Sequence, residues 1–490
     1  MNLALALIVA LQCPDGTPPP CAATRAGPTP PRSVAVLYFA SRSSDTADAY
    51  LGDGITEGII TRLTQDQRLA VKSISAVERL RGRSTPPDSA GRVLKVANLV
   101  SGSVARSGRR LRVSVELVRA STGTTLWAAQ FDREDVDLFD IQTAIADSVA
   151  REIAGRLLPG TRSQPRRPST NPEAYDLFLQ GNFHLARRTP DDVRTALRKY
   201  EAAIGLDPSF AAAHARIALA YAVALDWGWP SFDIDSSIRL GLAASDRAIE
   251  LDSSLADAWT SRAFMLRFAN ARTYAGVREA FARALRLAPR DPEAMLQFGF
   301  SLEGLGKPDS ALLMLHRAVA VDPERTISRF TLAWVLLMNH QPDAAIAQAD
   351  TGIANDPTTR LLRPVRAWGR LMAGDTTGAW LDARAEHDDG FESTALIAML
   401  ARRGDSTAAR AEVERLAAAL PAAPARLTWS AGWTALAWAS LGNESRALDI
   451  LERIEPQGLH VWDLMQSPGF DPVRLRPGFA RFEAELASGR

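Results

Sequence analysis

Apolar and polar positions divide this chain into two regimes. As far as about residue 158, short apolar runs alternate with helical stripes; from about residue 171, only helical spacing is present. Residues 33–40 (SVAVLYFA) form a continuous apolar run of the length of a buried strand. Residues 46–66 place Tyr50, Leu51, Ile55, Ile59, Ile60 and Leu63 on one stripe, which predicts an amphipathic helix. A second strand is expected at 69–73, and two short helices at 76–81 and 88–96. A meander then follows: 99–105, a turn at Ser107–Gly108, then 111–119, a turn at Thr122–Gly123, and 126–131. In 111–119, Leu111, Val113, Val115 and Leu117 alternate with Arg110, Arg112, Ser114 and Glu116, the period of a strand with one buried face. Residues 138–158 close the segment as a long helix buried through Phe139, Ile141, Ile145, Val149, Ile153 and Leu157.

The second regime repeats. Leu206-Asp207-Pro208, Leu287-Ala288-Pro289, Val321-Asp322-Pro323 and Asn355-Asp356-Pro357 each end a helix, and Leu251-Asp252-Ser253 is the same signal with serine for proline. Pro289, Pro323 and Pro357 stand 34 residues apart. Small residues recur in register, at Ala196, Ala311, Ala345 and Ala379, at Ala203, Ala284 and Ala318, and at Gly181, Ala218, Ala263, Gly299, Ala333 and Ala367. Helices crossing about 8–10 Å apart accept only small side chains at the closest points, while Tyr200, Trp259 and Phe281 fill the wider gaps. Residues 226–236 lengthen the second hairpin by about eleven residues. Turns at Arg403-Gly404-Asp405 and Leu441-Gly442-Asn443 mark two degenerate hairpins, and a terminal helix near 477–487 is expected to cap the array.

The 34-residue register resembles the tetratricopeptide repeat (TPR) family. Three other segments together resemble the domain shared by bacterial FlgO-like and TolB amino-terminal-like proteins: Ser33 to Phe39, Ala49 to Glu57, and Val100 to Val104 running on to Trp127, Phe131, Asp132 and Arg133. Tyr38 stands where that family usually has proline. The resemblance implies a mixed α/β fold, a bacterial source and a sensory or accessory role in regulators; it carries no catalytic residue. The fold class expected is therefore α+β multidomain, with a small mixed α/β domain followed by an all-α TPR superhelix. Its parts are an apolar and Pro-rich amino terminus (1–32), the α/β domain (33–158), a linker (159–172), repeats (173–459) and a cap (460–490).

TPR numbering implies that the ninth residue of each first helix faces the concave groove. Those residues are Phe264, Phe300, Trp334 and Trp368, spaced 36, 34 and 34 apart, with Phe268, Phe330, Leu337, Met338, Leu371 and Met372 nearby. Aromatic and Met side chains are enriched in interface cores, so Phe264, Phe268, Phe300, Phe330, Trp334, Met338, Trp368 and Met372 are the candidate partner-binding residues. The competing expectations are that the chain's own amino-terminal domain or carboxy-terminal tail covers the ladder, or that it packs between first helices.

Composition narrows the function. A formal net charge of +1 argues against nucleic acid as a partner. Cys13 and Cys21 are the chain's two cysteines, so no disulfide framework holds the fold. Residues 3–11 are uncharged and apolar but span only about 14 Å as a helix against a bilayer core of about 30 Å. An export signal, a stub of a longer membrane segment and an apolar cytoplasmic tail all remain open. Export or membrane association through this segment is favoured over a cytoplasmic location. The linker arginines Arg162, Arg166 and Arg167 read as a solvated tether. Phosphate-loop, GxGxxG and GxSxG motifs are missing, and the six histidines lack metal-ligand spacing. Asp53 and Glu57 share a helix face, but acids near a helix start are favoured by its dipole alone. The expectation is a scaffold without a catalytic site, metal or cofactor, binding a protein or peptide in bacterial signalling or regulation. The alternatives are a cell-envelope accessory protein and the orphan sensory region of a kinase or cyclase system.

Overall fold

The computed structural model describes residues 30–488 except 44, 46, 47, 65, 67, 84, 109, 135–137, 155–166, 228, 230, 270–273, 358, 360, 385–390, 419, 421–428 and 453–466. The apolar amino terminus, Cys13, Cys21, Arg162 and Arg166 lie outside the described residues.

The amino-terminal part is a mixed sheet of β1 (Ser33–Val36), β2 (Ala40–Ser41), β3 (Ala70–Val71), β4 (Asn98–Ser107), β5 (Arg110–Arg119) and β6 (Thr124–Glu134). Its order is β3-β1-β4-β5-β6, with β2 also on β4. β1 runs parallel to β3 and β4; the β4-β5-β6 meander is antiparallel. Helices α1 (Ala49–Thr64) and α4 (Leu138–Ala154) cover one face, burying Leu51, Ile55, Ile59, Ile145 and Val149 against Val113, Val115 and Leu117. Helices α2 (Ile74–Glu78) and α3 (Pro87–Leu94) cover the other face over Ala35 and Leu99.

The run 33–40 does not stay one strand. Past Val36 the backbone leaves β1 so that the Phe39 N–H donates to Thr56 Oγ1 at 3.1 Å, and Thr56 donates onward to the Gly52 carbonyl at 2.8 Å. A Cβ on Gly52 would stand 2.2 Å from the Phe39 carbonyl oxygen, so glycine is what lets α1 seat there. Gly102 does the same for β4, since a Cβ would lie 2.3 Å from the Phe39 ring.

The remainder is a solenoid of antiparallel helix pairs. They are α5 (Pro172–Leu185) with α6 (Pro190–Leu206), α7 (Ala211–Asp226) with α8 (Ile234–Leu251), α9 (Ala256–Ala269) with α10 (Tyr274–Leu287), and α11 (Pro292–Gly304) with α12 (Pro308–Val321). Next come α13 (Thr326–Met338) with α14 (Pro342–Asn355), α15 (Leu362–Met372) with α16 (Thr376–Arg384), α17 (Phe391–Arg402) with α18 (Ser406–Ala418), and α19 (Trp429–Ser440) with α20 (Glu444–Leu451). A short 3-10 turn (Pro468–Phe470), α21 (Asp471–Arg474) and α22 (Pro477–Ser488) finish the chain. The Phe470 and Phe479 rings pack tilted at 5.2 Å, and the Phe479 N–H donates to Glu444 at 3.0 Å, which seats α22 on the last pair. Ala196, Ala203, Ala311, Ala318, Ala345 and Ala379 are wholly buried, as close helix crossing demands.

The two parts share one core. Phe139 meets Tyr175 edge-on at 5.9 Å, and Tyr175 donates to Gln142, which donates to the Gly54 carbonyl. Tyr50 donates to Asp176 at 2.7 Å while Arg106 binds both Tyr50 and Asp176. The first hairpin is thus anchored on α1 and α4. On the far side of the solenoid, Ser73 donates to Asp322 at 2.8 Å and Arg79 faces Glu324 at 3.7 Å, so the α/β part also reaches the turn between α12 and α13.

Candidate functional site

The first helices of successive pairs, α7, α9, α11, α13, α15, α17 and α19, lie side by side. Of the eight candidate residues, Phe264 (1% exposed), Met338 (3%), Trp334 (4%) and Trp368 (4%) are buried. Phe268, Phe300, Phe330 and Met372 are half-buried. Trp334 on α13 meets Trp433 on α19 edge-on at 5.3 Å, and the Trp368 indole donates to Thr394 on α17 at 3.1 Å. Both tryptophans therefore pack against hairpins further along the chain. A ring on a helix about 8–10 Å from its neighbours fills the gap between them, and the half-buried set is what still faces outward.

Beside these rings runs a polar string that sequence reading did not pick out. Arg267, 2% exposed on α9, stands 5.0, 5.6 and 5.0 Å from the Phe264, Phe268 and Phe300 ring centres. Its guanidinium donates to Gln297 Oε1 at 2.8 Å and faces Asp226 at 3.5 Å. Gln297 donates to Glu293 at 2.9 Å, and Arg325, which precedes α13, donates to the same carboxylate. Asp226, Arg267, Gln297, Glu293 and Arg325 thus link four consecutive hairpins. Burial alone would raise Glu293, yet Arg325 and Arg188 overcome it and hold the carboxyl at about 2. Asp226 is raised by burial against the pull of Arg267. The signal was available in the sequence: Arg267 sits three residues after Phe264 and one before Phe268, inside the otherwise apolar run 263–269.

Two further acids depart from ordinary behaviour. Burial raises Glu303 to about 7, opposed by the hydrogen bond from Asn339 at 3.0 Å. Asp291 is raised to about 6 by burial and then by Asp257 and Glu293. On the α/β side, Asp53 binds Arg81, whose guanidinium lies 4.4 Å from the Tyr38 ring centre. Asp53 and Glu57 are both raised, first by burial. The helix begins at Ala49, so its dipole is not what holds Asp53; Arg81 is. Arg167 is not a free tether residue, since it donates to Asp140 and lies over Phe139.

Among the described residues, no group of three or more His, Cys, Asp or Glu is arranged to hold a metal ion. Among them, no helix is long and apolar enough to cross a membrane.

No protein-family model matches the chain. A protein named putative adenylate cyclase 3, from Rhizobium meliloti (strain 1021), is 30% identical over 224 residues, which is 45% of this chain and 38% of that protein. The chain thus spans about two-fifths of that relative's length. A thermophilic TPR protein of Thermus thermophilus aligns with 40% of this chain and 99% of its own, at 19% identity and a TM-score of 0.35. A tetratricopeptide repeat protein from Parabacteroides merdae covers 58% of this chain and 99% of its own, at 12% identity and a TM-score of 0.37. At such scores the repeat assignment rests on the chain's own hairpins: a small mixed α/β unit leads into a solenoid of TPR-type helix pairs.

Proposed function

We propose that this chain is a non-catalytic scaffold of bacterial signalling or regulation, holding a partner protein or peptide along the inner face of its solenoid. The observation supporting this is the row of half-buried Phe268, Phe300, Phe330 and Met372 on four adjacent first helices, beside the Arg267–Glu293 polar string. Apolar anchors flanked by fixed polar groups are what a peptide-binding surface requires. Trp334 and Trp368 serve the framework of the groove more than its surface. A partner captured from the source bacterium should be lost with Phe330→Ala plus Met372→Ala at unchanged helicity. Undiminished capture of the same partner by that variant would end the groove reading.

A second reading has its own support. The similarity to a protein named as a putative adenylate cyclase, together with the FlgO/TolB-like α/β segment, favours a sensory region that acts on a cyclase. Cyclic AMP output of a cyclase encoded nearby should then change when this chain is co-expressed. Equal output with and without it removes this reading and leaves the scaffold reading untouched. An envelope role through the α/β domain, with residues 1–12 directing membrane association or export, is tested by fractionation with and without residues 1–32.

A further inference from the structure

Among the described residues, the sheet leaves one edge open. β6 is last in the strand order, eleven residues long and free of proline. Among the described residues, no backbone hydrogen bond joins β6 to anything but β5. The opposite edge, β3, has two residues and offers little to pair with. β6 carries one irregularity, a register shift at Leu117/Val118, close to its start. From Trp127 to Glu134 its ladder is regular. Unpaired strands of this length recruit other strands unless charge, proline or distortion prevents it, and the charges of β6 are confined to its last three residues, Asp132, Arg133 and Glu134.

Side chains on this edge are also unfinished. Trp127, Ala129 and Phe131 pair with Leu117, Val115 and Val113 and so lie on the sheet's apolar face. Their β5 neighbours are buried, whereas these three are half-buried, with no described strand beyond them. On the other face, Ala128 and Gln130 are exposed.

We propose that β6 is the pairing edge of a two-fold dimer, receiving the β6 strand of a second copy of this chain antiparallel, with Ala129 on the axis. The choice of a second copy follows from self-complementarity, which an isologous contact requires. With the axis at Ala129, each Trp127 stands opposite Phe131 of the other copy, and each Ala128 opposite Gln130. Aromatic pairs across strands are among the favourable ones, and no like charges are opposed between positions 127 and 131. An axis at Ala128 sets Gln130 opposite Leu126 and breaks the aromatic match; an axis at Gln130 sets Phe131 opposite Ala129 and likewise breaks it.

Sedimentation velocity of the full chain, from low to high micromolar concentration, tests this. The wild-type mass should climb toward twice that of one chain. Ala128→Lys with Gln130→Lys opposes like charges across the axis and should raise the dimer dissociation constant at least tenfold. Ala128→Lys with Gln130→Glu opposes unlike charges and should keep or tighten the dimer, more so at low salt. Both positions are exposed, so circular dichroism should show the fold unchanged in each variant. A wild-type chain that stays monomeric throughout overturns the proposal. So does a dimer indifferent to the paired lysines, or one weakened equally by both variants.

Discussion

Glu303 shows how one buried group sets a pH dependence. It is 5% exposed, Asn339 donates to Oε1, and Oε2 has no partner among the described residues. Its carboxyl moves from 4.5 in the unfolded chain to about 7 in the fold. Below the unfolded value both states are protonated and there is no penalty. As pH rises from 4.5 toward 7 the unfolded chain ionises first, and folding loses stability, levelling off above 7. At about 1.4 kcal/mol per pH unit the loss approaches about 3 kcal/mol. Glu303→Gln removes the titration but leaves a buried amide N–H group incompletely bonded, which costs about 1–2 kcal/mol. The variant should therefore be about 1–2 kcal/mol more stable than wild type at pH 8 and no more stable at pH 4. Urea unfolding at the two pH values measures this, and an equal gain at both would show that Glu303 is not the titrating group.

At the scale of elements, two of the repeat turns are closed by an aspartate in the same way whether or not proline follows it. Asp207 accepts the Ser209 N–H at 3.0 Å, and Asp252 accepts the Ser254 N–H at 3.0 Å, although proline follows the first and serine the second. The backbone before the variable position is the same in both, φ −139° and ψ 90° at Asp207, φ −150° and ψ 90° at Asp252. That extended conformation is the one proline imposes on its predecessor. Ser253→Pro should thus be stabilising by about 0.5–1 kcal/mol through the unfolded chain, whereas Asp252→Ala should cost about 1 kcal/mol. Thermal melts of the two variants moving in opposite directions would bear this out; a drop with Ser253→Pro would show a different backbone.

The same scale shows what was legible. The hairpins were readable because each helix pair is local: Gly404 and Gly442 take positive φ in the very turns the sequence marks. The sheet was readable where alternation was clean, as in β5. Two things were not. The division of the aromatic ladder into buried and half-buried members depends on α13 meeting α19, near neighbours in space and about a hundred residues apart in the chain. The polar string needs Asp226, Arg267, Glu293 and Arg325 brought together from four hairpins, and no spacing rule reports that. Trp334→Ala should accordingly act as a core deletion, costing about 3–5 kcal/mol, and calorimetry would distinguish it from the small effect of Met372→Ala.

At the scale of the whole molecule, the described residues bring the α/β part against the solenoid in two regions, and the two contacts are unequal. Near the first hairpin the contact is a shared core with Tyr50, Gln142, Tyr175 and Asp176 bonded across it. At the turn between α12 and α13 it is, among the described residues, a hydrogen bond from Ser73 to Asp322 and a long ion pair between Arg79 and Glu324. Asp322 is itself buried, so its hydrogen bond contributes about 1–1.5 kcal/mol, and the partly exposed ion pair adds about 0–1 kcal/mol, together too little to hold two large bodies against a partner that competes for the inner face. A hinge at the near contact and a latch at the far one are then expected. Asp322→Ala with Glu324→Ala should leave the first hairpin seated, raise hydrogen exchange in α2, and enlarge the radius of gyration in small-angle scattering. The melting transition should shift by no more than about 2–3 kcal/mol of stability, since one part-buried hydrogen bond and one partly exposed ion pair are lost. If the partner enters between α2 and the inner face, its affinity for the opened variant rises by the free energy the latch had supplied. An unchanged radius together with unchanged exchange in α2 would show that the shared core alone fixes the arrangement.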